Sequence, residues 1–286
     1  MSDPFCITGP AVISFSGGRT SGYMLHRIMK AHGGALPDDV AVVFANTGRE
    51  MPATLDFVQE CATRWDVSIR WVEYRYRDGQ HGFEEVNHNS ASRNGEPFEQ
   101  VIQHRKALPN PRARYCTAEM KIRTMKRFVA AEYGWRRPAQ VVGLRADEPG
   151  RVAKATDPEG WKRQGTGPVL CPLAVADVCE GEVLGFWAVQ DFDLKLTGSW
   201  EGNCDGCFLK SRGRLTRMFQ DHPDRMAWWV EQERLAAGRA GVGRSGAFFR
   251  DDREPLAELA DTVRRQGTLP HSIFDDRMEC QWACTD

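Results

Sequence analysis

Apolar residues come along this chain in two kinds of run. Ala11-Val12-Ile13, Val40-Ala41-Val42-Val43-Phe44-Ala45 and Gln140-Val141-Val142-Gly143-Leu144-Arg145 are short and nearly uninterrupted, the pattern of strands covered on both faces of a parallel sheet. Val67 to Tyr74 alternates and predicts a further strand. Between them the spacing is helical. Met24, Leu25, Ile28 and Met29 share one face, and Thr54, Leu55, Val58, Cys61 and Ala62 make another behind Pro52. Strand, helix, strand, helix, strand predicts the α/β class, a doubly wound and mainly parallel sheet whose ligands gather at the carboxyl ends of the strands.

The later chain is less regular. Residues Asp78 to Arg114 are polar, with one or two brief helical pieces expected, which reads as a lid or binding segment. A helix is predicted from Thr117, with Met120, Ile122, Met125, Phe128 and Val129 as its apolar face. Val169 to Leu173 leads into a helix expected from Ala176 to Val189. After Gly198 the α/β order stops, which divides the chain into a nucleotide-binding domain, 1–198, and a small helical, cysteine-containing region, 199–286. That region has a helix opened by His222-Pro223 and carrying Trp228-Trp229, a Gly/Arg-rich loop at 238–246, and a helix from Pro255 to Arg265.

Composition narrows the choice of chemistry. A formal charge of −1 over 286 residues argues against coating nucleic acid by bulk electrostatics and leaves room for a local basic patch such as Arg112, Arg114, Lys121 and Arg123. No run approaches the roughly 18 apolar residues of a membrane helix, and MSDPFC lacks the build of a signal peptide, so a cytoplasmic protein is expected. Nine cysteines, an odd number, point away from a full disulfide framework and toward metal or redox chemistry for some of them.

The chemistry-bearing stretches sit where the pattern puts strand ends. Ser14-Phe15-Ser16-Gly17-Gly18-Arg19-Thr20-Ser21 lies between a strand and a helix; its glycines let successive N–H groups point one way, and its hydroxyls flank the positive end of the helix. That is an anion cradle, without Walker A or dinucleotide spacing. Asn46-Thr47-Gly48 ends the second strand, and Gly143 and Arg145 end another, followed by Asp147, Glu148 and Arg151. These last could form a surface ion-pair network or a site. Cys204-Asp205-Gly206-Cys207 spaces two thiols to face one metal centre, as a zinc half-site, a redox pair or part of a cluster.

SFSGGRTS resembles the PP-loop, the Ser-Gly-Gly-x-x-Ser signature of the adenine nucleotide α-hydrolase-like superfamily. Further segments follow in the order of its phosphoadenosine phosphosulfate (PAPS) reductase-like branch: FANTGREMPATLDFV, Arg114-Tyr115-Cys116-Thr117 with Lys121, GLRADEPGR, Cys171-Pro172-Leu173 with Asp177-Val178, and GNCDGCFLKS. The resemblance implies ATP, PAPS or adenosine phosphosulfate (APS) held by Ser14, Ser16, Gly17, Gly18, Arg19, Thr20 and Ser21, with Asn46, Thr47 and Gly48 beneath the adenosine. Gly143 and Arg145 join them. Arg145 would neutralise charge at the cleaved phosphate or sulfur, and Asp147 would hold Mg2+ or orient the arginines.

The same resemblance implies a 4Fe-4S cluster on Cys116, Cys204 and Cys207, with zinc as the alternative for these thiols. Relatives of the cluster-bearing type have two adjacent cysteines where this chain has Tyr115-Cys116. The fourth ligand is therefore Cys284, Cys280, or none. Three functions stay open: adenylation of a nucleic acid, tRNA or DNA, followed by sulfur transfer with a sulfur or electron donor protein; sulfonucleotide reduction with Cys280 as the attacking thiol; or a nucleotide and cluster sensor without turnover. For the first, Lys210, Arg212 and Arg214 join the phosphate-contacting cations, and Trp228 and Trp229 are candidates to stack bases.

Overall fold

The computed structural model describes residues 3–239, 241 and 243–266. Strands β1 (Ala11–Phe15), β2 (Val40–Asn46), β3 (Ile69–Arg77), β4 (Gln80–Val86), β5 (Ala139–Val141) and β6 (Val169–Leu170) form one sheet in the order β4-β3-β2-β1-β5-β6. All neighbours are parallel except β3 and β4. The first half of the chain holds helices α1 (Arg19–Ala31), α2 (Pro52–Arg64) and α3 (Glu96–Arg105), and then a π-helix, Cys116–Arg123, that runs directly into α4 (Thr124–Tyr133). Short helices follow: α5 (Pro149–Ala155), α6 (Pro158–Gln164), α7 (Pro172–Val175) and α8 (Glu180–Ala188). Last come α9 (Arg212–Asp221), α10 (Pro223–Ala237), α11 (Arg244–Ala247) and α12 (Leu256–Gln266).

The uninterrupted apolar strands are explained by what covers each face. Ala11, Ile13, Phe15, Val42 and Phe44 pack with Met24, Leu25 and Ile28 of α1, Leu55 and Val58 of α2, and Trp187 of α8. The intervening Val12, Ala41, Val43 and Ala45 pack against Met125, Phe128 and Val129 of α4. The fold is thus the expected doubly wound α/β sheet. The chain moves outward from β1 through β2 to β3 on one side and continues through β5 to β6 on the other. The crevice between the carboxyl ends of β1 and β5 is therefore the topological switch point where such sheets bind ligands.

A third apolar cluster sits beyond one end of the sheet. It joins Met51, Tyr74, Phe98, Val101, Ile102 and Met120 to Phe208, Leu215, Met218, Trp229, Phe249 and Leu259. The chain after residue 198 therefore shares a core with α3 and the π-helix.

Three local expectations are corrected. The polar segment 78–114 contains a full strand, β4, and a ten-residue helix, α3. β4 was hidden because it is an edge strand held partly by charge, Glu84 to Arg75 and Glu85 to Arg70, rather than by apolar alternation. The helix expected from Ala176 to Val189 begins only at Glu180, because Asp177 turns left-handed (φ 58°) after α7. The strand expected at 140–145 is shorter, Ala139–Val141.

Two outcomes test this packing. Phe128 is fully buried and meets Phe83 and Tyr133 edge-on; Phe128→Ala should cost about 3–5 kcal/mol in urea unfolding. Buried Glu233 accepts the backbone N–H groups of Phe249 (3.1 Å) and Leu256 (2.7 Å), joining α10 to the start of α12. Burial pushes its carboxyl from 4.5 up to about 7, against the pull of those N–H donors and Arg244. The folded chain then keeps a proton that the unfolded chain releases above 4.5, so stability falls as pH rises from 4.5 to about 7 and levels beyond. Glu233→Gln is neutral throughout. Measured against it at the two ends of that window, the native protein should lose about 3 kcal/mol as pH rises.

Candidate functional site

The loop after β1 has the geometry of an anion cradle. Gly17 has φ 81°, and a Cβ there would stand 2.6 Å from Thr54 Cγ2, so only glycine fits against α2. Gly18 precedes α1, whose first turn has neither a capping side chain nor an acidic residue. The loop's shape is set from inside: Ser16 N–H and Oγ donate to Ser21 Oγ (3.3 and 3.0 Å), which donates to the Gly18 carbonyl (2.9 Å). Trp187 Nε1 holds the Arg19 carbonyl from the far side (2.8 Å).

The chain leaving β5 closes the crevice. Gly143 runs against the Ser21 backbone, where a Cβ would stand 3.5 Å away. Arg145 Nη1 then reaches Thr20 Oγ1 (3.3 Å), while its Nε donates to Asp147 Oδ1 (2.9 Å). The other oxygen of Asp147 accepts the Glu180 N–H at the start of α8 (3.1 Å). Glu148 accepts the Arg145 N–H (3.1 Å) and pairs with Arg151. These carboxylates orient the arginines.

Beside that crevice, β2 ends in a turn that faces a second site. Asn46 is fully buried, donating to Glu73 (2.6 Å) and to the Ser92 carbonyl (2.9 Å). Thr47 donates to Glu50 (2.8 Å) and lies 3.3 Å from Cys204 Sγ. Here Thr47, Arg114, Thr117, Lys121, Cys116, Cys204 and Cys207 line one partly open cavity, walled by Phe98, Phe208 and Trp229. Because Phe15 of β1 pairs with Phe44 of β2, the Gly-Gly loop and this cavity open from neighbouring strand ends.

The cavity's electrostatics are those of thiols taken from water among cations. Burial pushes Cys116 up to about 11, with Cys207 adding to it and Lys121 and Arg114 opposing. Cys204 is raised by burial and by Glu50, again opposed by Lys121. For Lys121 burial favours the neutral amine, but Cys204, Glu50, Cys207 and Cys116 together reverse this and raise it. Arg114 Nε is buried with no hydrogen-bond partner among the described residues. Cys116 opens the π-helix, a distortion that often marks functional sites.

The family model of the phosphoadenosine phosphosulfate reductase domain matches residues 10–175, which includes the Gly-Gly loop, the β2 turn, Cys116 and Arg145. The chain belongs to this family. A relative described as an uncharacterized nin region protein, ORF290, of Escherichia phage lambda is 29% identical over 212 residues, covering 71% of this chain and 67% of that protein. The matched domain ends before Cys204 and Cys207, which the fold brings to it.

The site residues read from the sequence thus fall into two adjoining groups. Ser16, Gly17, Gly18, Thr20, Ser21, Gly143, Arg145 and Asp147 surround the PAPS reductase-domain crevice, whereas Thr47, Cys116, Cys204 and Cys207 meet at the cavity. Ser14 lies within β1, 3.9 Å from Met125 Sδ, and Arg19 turns its guanidinium to Asp193 (2.7 Å). Gly48 packs on Gly95 and Pro97. Cys280 and Cys284 lie outside the described residues.

Among the expected nucleic-acid contacts, Trp229 is 1% exposed and donates to Asp205, which removes it as a stacking platform. Lys210 is buried and donates to the Gly202 carbonyl, Arg123 pairs with Glu119, and Arg212 with Glu254. Reasoning from sequence missed Arg49, Glu50 and Asp205, since single charged residues carry no spacing signal. Gly17→Ala tests the loop geometry: strain at positive φ together with the Thr54 clash should lower stability by about 1–3 kcal/mol in urea unfolding.

Proposed function

We propose that this PAPS reductase-family chain binds ATP or a related adenine nucleotide at the β1–β5 crevice and carries out iron–sulfur-dependent sulfur transfer to a nucleic-acid oxygen that it first adenylates. The observation that carries this reading is the meeting of Cys116, Cys204, Cys207 and Lys121 in one cavity beside the Gly-Gly loop. Cys116 and Cys204, whose thiols burial holds toward the neutral form, make with Cys207 a donor set that a cationic iron centre would convert to thiolates. Zinc is the alternative occupant for these thiols. Cys284 or Cys280 remains the candidate fourth ligand.

In this reading the N–H groups of Gly17 and Gly18 and the Thr20 hydroxyl bind the outer phosphates. Arg145, held by Asp147 and Glu148, stabilises charge at the α-phosphate as the substrate oxygen displaces pyrophosphate. Mg2+ would be carried mainly by phosphates and water, because the nearby carboxylates already hold arginines. Lys121 and Arg114 supply positive charge to anions in the cavity. When bound, the cluster would present sulfide. Displacement of AMP, together with the adenylated oxygen, by sulfur that the donor supplies at the sulfide level would need no net oxidation.

Anaerobic reconstitution of the full chain tests the proposal. The native protein should turn brown and hold iron and sulfide. Cys116→Ser, Cys204→Ser and Cys207→Ser should each lose most of the iron while keeping nucleotide binding. With ATP and tRNA or DNA, AMP and pyrophosphate should form, and Arg145→Ala should slow this by about 10²–10³. A colourless, zinc-containing protein would sink the cluster reading. Sulfite release from PAPS or APS with thioredoxin, abolished by Cys280→Ser, would replace sulfur transfer with sulfonucleotide reduction.

A further inference from the structure

The residue between the two cavity thiols of the Cys-x-x-Cys loop is among the most completely buried charges in the molecule. Asp205 is 0% exposed. Its Oδ2 accepts from Arg49 Nη2 (2.6 Å) and lies 2.7 Å from Arg225 Nε. Its Oδ1 accepts from Trp229 Nε1 (2.6 Å), from Arg49 Nε (3.2 Å) and from the Gly206 N–H (2.9 Å).

The bonds continue through the backbone. The Asp205 N–H donates to the Arg49 carbonyl (2.9 Å), Arg49 Nη2 to the Arg225 carbonyl (2.7 Å), and Arg225 Nη2 to the Glu50 carbonyl (2.9 Å). Glu50 in turn forms an isolated β-bridge with Cys204. The β2–α2 turn, the cysteine loop and the first turn of α10 are therefore tied together by one carboxylate and two guanidiniums. The arrangement does more than fill space, since one acid facing two arginines leaves one net positive charge beneath the loop.

We propose that Asp205, Arg49 and Arg225 are positioning residues that hold Cys204 and Cys207 in ligating geometry before any inorganic group binds. The proposal rests on the cluster reading for its functional meaning, but its geometric part concerns the chain alone. Burying a carboxylate is compensated only by full pairing, so the loop has one favourable seat and losing a partner releases it.

The test uses the full chain under anaerobic conditions, comparing the native protein with Asp205→Asn and Arg225→Lys. In metal-free protein, iodoacetamide labelling is followed by mass spectrometry at Cys204 and Cys207, with buried Cys61 as the reporter of global folding and exposed Cys179 as the reporter of reagent. Cys204 and Cys207 should react about tenfold faster or more in Asp205→Asn, with Cys61 still protected. Unchanged labelling with Cys61 protected overturns the positioning role. If Asp205→Asn exposes Cys61, the milder Arg225→Lys decides by the same comparison.

If the native chain takes up no iron, the cluster reading falls, and the labelling contrast still decides the positioning.

Discussion

One buried carboxylate governs how this molecule is assembled around its chemistry. Asp205 loses all its water on folding, a penalty of several kcal/mol that only close charge pairing can offset; it accepts hydrogen bonds from Arg49 and Trp229 and pairs by charge with Arg225. Those three partners come from a turn at the sheet's edge and from a helix near the end of the chain. The same ion pairs that satisfy Asp205 thus fasten the cysteine loop to the carboxyl end of β2. Trp229, pinned by its indole N–H, then packs against Phe98 and Phe249, so the polar seat and the apolar cluster around it specify each other.

From that joint follows the division of labour at the sheet. On one side of the β1 strand end, glycine backbone and the α1 N-terminus make a place for negative charge, with Arg145 steadied by two carboxylates. On the other, thiols are drawn into a low-dielectric cavity with Lys121 and Glu50. Neighbouring parallel strands lie only about 5 Å apart, so on the proposed function a group attached to a nucleotide would not travel far to meet the thiols. This proximity, in a PAPS reductase-family fold, is what makes sulfur chemistry on an activated group a coherent reading.

The parallel strands and their switch point were legible because burial on both faces leaves an uninterrupted apolar signature, as in Val40 to Ala45. The Gly-Gly loop was legible because positive φ at Gly17 admits few other residues. β4 was not legible. An edge strand stabilised by Arg70–Glu85 and Arg75–Glu84 pairs looks like any polar segment until its partner is known. The chain beyond 198 was read as a separate region because its helices carry ordinary amphipathic patterns; that these face Met51, Phe98 and Met120 is a fact of packing.

By itself, then, the sequence determined the fold class, the glycine turn after β1, and which residue types stand at the strand ends, since each depends on local sterics or on periodic burial. Tertiary structure alone decided that Asp147 turns to Arg145, that Trp229 is core, and that Asp205 is the anchor. Those outcomes depend on which distant groups desolvate one another. Asp205 and Arg49 stand more than a hundred and fifty positions apart and find each other only because neither can be buried alone.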